Sequence, residues 1–270
     1  GFLAPQTIKD HSAEITSNFA LQVGTGPYKV ESYTPGQGLV LVKNPDYNWA
    51  PADAEHQGPA YLDKININFV KDPAVRLGAL TSGQADVIAN VPSIYLTQLK
   101  SDEQYAVHTK QATAVPYQLP INVEKEPTND LRVRQALRAS FDLKTILDTI
   151  YFGHYPQAWS VLAENTPPGD AYNKSLEGSW KYDPEEAARL LDEAGWTGRD
   201  GEGYRTKDGK RLELHWAVKS SVIEDQRDTL GEALQASAKK SGIALVRDLY
   251  DNGTYSKTIK EGGYNLTDRP

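Results

Sequence analysis

Five histidines, His11, His56, His108, His154 and His215, are the side chains best suited to holding a metal or moving a proton. They stand apart in the chain. No two are three or four residues apart, the spacing that sets two imidazoles on one helix face, and a zinc or nickel cage needs such convergence. There is no cysteine, so disulfides, thiolate ligands and a cysteine nucleophile are all excluded. Serines are plentiful, but no Gly-x-Ser-x-Gly elbow presents one as a nucleophile. Asp200 and Glu202 sit in a glycine-rich turn that matches only the first positions of a calcium loop, and a hairpin turn is expected there. Gly24-Thr25-Gly26 is followed by Pro27 and a strand. A dinucleotide loop needs a third glycine and a helix at that point, so this segment reads as a turn. No nucleophile–base set emerges, and the chain does not read as an enzyme.

The residues suited to binding are richer. Five tryptophans and fifteen tyrosines offer apolar bodies with polar tips, the usual lining of a ligand cleft. Arg132 and Arg134 flank Val133 just after Asp130. They read either as an anion clamp or, preferably, as part of a capped helix whose arginines pair with acids and cover apolar surface.

The elements that must position these groups alternate between strands and helices. Tyr28 and Val30, then Leu39 to Val42, flank the turn Thr34-Pro35-Gly36-Gln37-Gly38 and form a hairpin. Ile65, Ile67 and Phe69 alternate with polar residues as a half-buried strand. Asp72-Pro73 opens a helix closed by Gly83. Asp86-Val87-Ile88 is expected as a strand, Ser93 as the cap of a helix through Leu99, and Tyr105–Thr109 and Tyr117–Ile121 as two further strands. Asp130 caps a helix with Val133 and Leu137 inward, and a second helix spans Leu143 to Tyr151. Asp183-Pro184 opens another, stopped by Gly195. A small hairpin leads into Leu212, Leu214 and Trp216, followed by a long helix from Val222 to Ser241. A strand over Ile243–Leu249, a short helix over Thr254–Lys260 and a strand beginning at Tyr264 complete the chain. Such alternation indicates α/β layers.

The bulk properties agree with a globular chain. It has 270 residues, 39% hydrophobic and 24% charged, with a formal net charge of −7. An acidic chain lacks the electrostatic footprint for nucleic acid or anionic membranes, so neither is an expected partner.

Four segments together resemble one family. They are VGTGPYKVESYTPGQGLVLVKNPDY (residues 23–47), DPAVRLGALTSGQADVI (72–88), INVEKEPTNDLRVRQALRASFD (121–142) and YDPEEAARLLDEAGW (182–196). In this order they resemble the peptide- and nickel-type solute-binding proteins of ABC importers, solute-binding family 5. The resemblance implies an α/β, two-lobed periplasmic-binding-protein type II fold that closes on ligand by hinge motion, here represented by its central portion. It implies a large-lobe core over residues 1–120, a crossing segment over 121–127 and the start of the second lobe over 128–270. It implies extracytoplasmic capture of oligopeptides or dipeptides, without a cofactor, by a periplasmic or envelope-anchored monomer that delivers them to ABC permease subunits. Nickel, opine, sugar or haem as ligand, or a sensor or adhesive lipoprotein on the same fold, are the alternatives. The implied topology places Asn90, Val91 and Pro92 after the Asp86 strand, and Tyr117 and Asn122 around the crossing, as ligand-binding residues. Peptide binders of the family often hold the ligand's amino terminus with a carboxylate from the second lobe. Asp268 lies near that segment, but the match there is too poor to carry the role over.

Overall fold

A computed structural model describes residues 3–15, 18–111, 113–167, 169, 171–222 and 225–268. The chain falls into two compact units, residues 1–89 and 90–270.

The first unit holds helix α1 (Pro5–His11), strands β1 (Tyr28–Thr34), β2 (Gly38–Lys43) and β3 (Lys64–Asn68), and helix α2 (Pro73–Thr81). The strands form one antiparallel sheet in the order β1-β2-β3. Its register follows the alternation in the sequence, with Leu39 opposite Ile67 and Leu41 opposite Ile65. Gly36 supplies the left-handed residue of the β1–β2 turn, at φ 72°. Gly38 is needed for a different reason. A β-carbon there would lie 2.6 Å from the Ile67 carbonyl oxygen of β3. The Gly24–Gly26 segment is a bend rather than a hydrogen-bonded turn, with the Trp49 indole donating to Thr25 O (2.9 Å) and the Asn44 amide to Gly26 O (3.3 Å). Asp72 caps α2 by accepting from the Ala74 and Val75 amides.

The second unit opens with α3 (Ser93–Ser101), α4 (Leu131–Ala139), α5 (Leu143–Tyr151) and α6 (Pro184–Glu193). A small sheet of β4 (Gly198–Arg199), β5 (Arg205–Lys207) and β6 (Lys210–Arg211) follows. The chain then runs β7 (Glu213–Lys219), α7 (Arg227–Lys240), β8 (Ala244–Tyr250), α8 (Asn252–Glu261) and β9 (Leu266–Thr267). These three strands form a parallel sheet in the order β8-β7-β9. One face of β7, Leu214, Trp216 and Val218, is at most 1% exposed. It packs with Val133 and Leu137 of α4, Leu191 of α6 and Leu234 of α7 into one core. A helix layer on a parallel sheet needs such an apolar face.

The structure corrects several expectations. Residues 86–88 and 105–109 form no strand, and residues 117–121 carry only isolated bridges, at Gln118 and at Ile121, the latter to Leu266. A strand-like pattern alone does not make a strand, because a ladder needs a partner edge over several residues. Residues 117–121 meet the β9 region only at single positions, with the Thr267 amide donating to Pro120 O (3.1 Å). Ser93 lies inside α3, and Pro92 occupies the cap position without a side-chain bond. The helix expected from Val222 begins at Arg227, because Asp225 and Gln226 both take positive φ, 52° and 59°. Residues 223–224 of the expected helix lie outside the described residues.

Candidate functional site

In open α/β sheets, ligands settle outside the carboxyl ends of the parallel strands, where successive connections leave in opposite directions. Here β7 connects through α7 to β8 on one side, and the chain returns through α8 to β9 on the other side of β7. The reversal therefore lies between β7 and β9, at Trp216–Lys219 and Thr267–Asp268.

A buried carboxylate sits at this point. Asp268, 5% exposed, accepts hydrogen bonds at Oδ1 from the Trp216 indole N–H and from the Tyr117 hydroxyl, the latter at 3.3 Å. Its backbone is fixed on both sides. Its N–H donates to the Ala217 carbonyl (3.2 Å), and its carbonyl accepts from the Tyr255 hydroxyl (2.7 Å). The Arg227 guanidinium lies 4.6 Å from the centre of the Tyr117 ring, and that of Arg247 lies 5.4 Å from a Trp216 ring centre. Arg247 is held by Asp228 (2.6 Å). Arg227 Nη1 and Arg247 Nε are buried without a hydrogen-bond partner.

Loss of water pushes the Asp268 carboxyl above the usual carboxylate range, against the opposing pull of its two donors and the two arginines. Burial, then the Asp268 charge, also raises the Tyr117 phenol, so it remains a donor at neutral pH. The cluster thus pairs a strained acceptor with two partly unsatisfied cations, at the strand ends where a polar or charged ligand group would be read.

Of the expected site residues, Tyr117 belongs to this cluster. Asn122 has another occupation. Its side-chain N–H groups donate toward the carbonyls of Gly262 (3.4 Å) and Tyr264 (3.3 Å), and its Oδ1 accepts from the Glu124 amide (3.0 Å). Its backbone N–H donates to Asn265 O (2.8 Å). Together with buried Thr128 and Asn265 it fastens the crossing segment to the approach of β9. The Asn265 amide donates to Glu126 O (3.0 Å) and Thr128 Oγ1 (3.1 Å), and its Oδ1 accepts from the His215 amide (3.0 Å). Asn90, Val91 and Pro92 form the lead-in to α3, with Asn90 exposed at φ 55° and the other two half-buried.

Sequence reasoning passed over Trp216, Arg227, Arg247, Thr128 and Asn265. Only the placement of Asp268 directly after a strand end gave a signal. The arginine clamp is absent from the picture, because Arg132 bonds Asp130 (2.6 Å) and the Glu193 carbonyl (2.6 Å), and Arg134 bonds the Thr128 carbonyl (2.8 Å). Asp200 and Glu202 are taken by Arg211, at 2.6 and 2.9 Å. His215 lies between Asp248 (2.9 Å) and Glu213 (3.0 Å). Among the described residues no group of three or more His, Cys, Asp or Glu is placed to hold a metal ion, and no helix is long and apolar enough to cross a membrane.

Comparison with known proteins identifies the family and the fold. The sequence profile of the bacterial extracellular solute-binding proteins, family 5 Middle, matches residues 2–268. The nickel-binding periplasmic protein of Escherichia coli (strain K12) is 30% identical over 246 residues, covering 89% of this chain and 44% of that protein. Heme-binding protein A of Haemophilus influenzae is 29% identical over 240 residues, covering 89% of this chain and 40% of that protein. The structure of lactococcal OppA, complexed with an endogenous peptide in the closed conformation, superposes with a TM-score of 0.77 at 25% identity, covering 99% of this chain and 51% of that one. The chain thus spans about half the length of the proteins it matches, and it shares their type II periplasmic-binding fold. It belongs to the bacterial extracellular solute-binding proteins of family 5.

Proposed function

We propose that this chain is part of a receptor that captures short peptides outside the cytoplasm and delivers them to the membrane subunits of an ABC importer. The observation that carries this reading is the buried Asp268 carboxylate at the β7/β9 strand ends, held by Tyr117 and Trp216 beside Arg227 and Arg247. Such a cluster of opposite charges suits a ligand that carries an ammonium and a carboxylate, and loose peptide binding adds backbone hydrogen bonds to a few such anchors. The similar proteins include receptors named for nickel, haem and peptides. Peptide is favoured because the strand-end cluster offers both an anionic and a cationic anchor. We further assign residues 1–120 to a large lobe, 121–127 to the crossing and 128–270 to the second lobe, with the receptor acting as a monomer. Asn90, Val91, Pro92 and Asn122 join Tyr117 as proposed ligand-facing positions, Asn122 through backbone atoms, since its side chain is already bonded.

The test is a thermal-shift screen of the full-length protein with di- to hexapeptide pools, Ni²⁺, haem and sugars. A ligand that binds only the folded state stabilises it by about 2.7 kcal/mol at a hundredfold excess over its Kd. A rise with peptides, reduced in the Asp268→Asn variant, supports the reading. A rise with Ni²⁺, haem or a sugar alone replaces the ligand. No rise with any of them overturns the receptor reading.

A further inference from the structure

A cavity that does not include Asp268 lies beside α5. It has a volume of about 520 Å³ and runs along α5 from Leu143 to the 153–157 segment that follows the helix. At its far end the lining Tyr155 packs on Tyr151, ring centres 4.6 Å apart, and the Tyr151 hydroxyl donates to Asp225 O (2.8 Å). The cavity falls within the usual size range for small-molecule pockets, roughly 300–1,000 Å³. Its apolar surface comes from Phe141, Leu143, Leu147, Tyr155, Trp159 and Trp180. Trp180 is 41% exposed and Tyr155 also 41%, an unusual concentration of open aromatic surface.

Its charges do not cancel. Lys144 is paired with Asp148 (2.5 Å), and Asp142 caps α5 by accepting from the Thr145 amide (3.2 Å). That leaves Arg138 and Lys181 against the single carboxylate of Asp142, an excess of one positive charge on the lining. Among the described residues neither forms an ion pair, and the Arg138 guanidinium lies over the Trp180 ring at 5.5 Å. A guanidinium within cation–π range of an indole still has N–H groups free to meet a carboxylate. Pocket size, aromatic walls and an excess of positive charge from Arg138 and Lys181 describe a single complementary chemistry.

We propose that this groove is a second binding site, for a small aromatic carboxylate. The ring stacks among Trp159, Trp180 and Tyr155, and the carboxylate meets Arg138 and Lys181. The site is separate from Asp268 and stands or falls independently of the peptide reading.

Phenylacetate is the probe, with benzylamine as its cationic counterpart and acetate as the ring-free control. Each is titrated into the full-length protein by saturation-transfer NMR and tryptophan fluorescence. Phenylacetate is expected to bind with a Kd on the order of 1 mM or below, and benzylamine and acetate at least tenfold more weakly. The double variant Arg138→Gln/Lys181→Gln, exposed in both positions and folded by its unchanged Tm, weakens phenylacetate by about tenfold or more. Asp268→Asn leaves it unchanged. The proposal is overturned if phenylacetate does not bind, if benzylamine binds equally, or if the double variant binds phenylacetate as the parent does. The last result would place the molecule elsewhere, at the strand ends if Asp268→Asn then weakens it.

Discussion

Residues 1–89 and 90–270 use the same local devices. Asp72 caps α2 and Asp130 caps α4 through the same Asx geometry, and left-handed glycines close α2 and α6 alike, Gly83 at 72° and Gly195 at 88°. What differs is burial. Every fully buried apolar side chain among the described residues lies at or beyond Leu96. In the first unit Leu39 and Leu41 of β2 are only half-buried, and Ile67 and Phe69 are exposed. A cap needs only neighbours in sequence, whereas a core needs a second layer. The parallel sheet has helices to pack on, and the β1-β2-β3 sheet by itself has too little to cover a face.

The sharpest way to break this comparison is to truncate one leucine in each unit. Leu137→Ala removes a side chain 2% exposed in the α4 core and is expected to cost about 2–5 kcal/mol. Leu41→Ala, on the half-buried β2 strand, is expected to cost about 1 kcal/mol, by the area it covers. Urea unfolding of full-length variants gives both values. Equal losses would mean that the β1-β2-β3 sheet is fully covered in solution.

Two close-packed glycines give a smaller effect. A β-carbon at Gly38 meets the Ile67 carbonyl at 2.6 Å, and one at Gly231 meets Arg247 Nε at 2.5 Å. Each alanine substitution is expected to cost about 1–3 kcal/mol by overpacking. Gly38→Ala should be the larger, because a paired backbone carbonyl moves less than a side chain. Gly231→Ala sits in a helix, where alanine regains about 1 kcal/mol, and it displaces Arg247 from Trp216. Near-ultraviolet circular dichroism should report that displacement. A Gly231→Ala protein as stable as the parent, with an unchanged tryptophan signal, would show that Arg247 is not held there.

The caps should behave alike in both units. Asp72→Ala and Asp130→Ala are each expected to cost about 1 kcal/mol, the second somewhat more through the Arg132 bond. A cap loss confined to one unit would mean the other helix is held by packing alone.

These pairs show why some of the molecule could be read from the sequence. Caps such as Asp72, Asp130 and Asp183, and the hairpin around Gly36, depend on residues two to four apart, and each stands where its local pattern put it. The strand expected at Asp86–Ile88 failed because strand pairing is non-local, and nothing in residues 86–88 specifies an absent partner edge. The site divides the same way. Tyr117 was within reach of a topological reading, but its partners Trp216, Arg227 and Asp268 are about 100 to 150 positions away in sequence. No periodicity links residues so distant, and only the β8-β7-β9 order brings them together.

The smallest expected effect is a change of slope with pH, and here the two units have opposite signs. Asp63 of the first unit is exposed and bonded to Lys43 (2.6 Å), which holds its carboxyl below the usual range. Its contribution is therefore present above the unfolded value, about 3.9, and fades as pH falls through the folded value. Asp268 is raised by burial, so the folded chain holds its proton more tightly than the unfolded chain does. Its contribution is complete below about 3.9 and is lost as pH rises through the raised folded value. Asp268→Asn keeps an oxygen to accept from Trp216 and Tyr117 but cannot ionise. Tm measured from pH 3 to pH 7 should then lose a downward component in Asp268→Asn and an upward component in Asp63→Asn. If Asp268→Asn leaves the profile untouched, its carboxylate is stabilised by Arg227 and Arg247 enough to cancel its burial, and the strand-end cluster is a settled ion network with no charge left to offer a ligand.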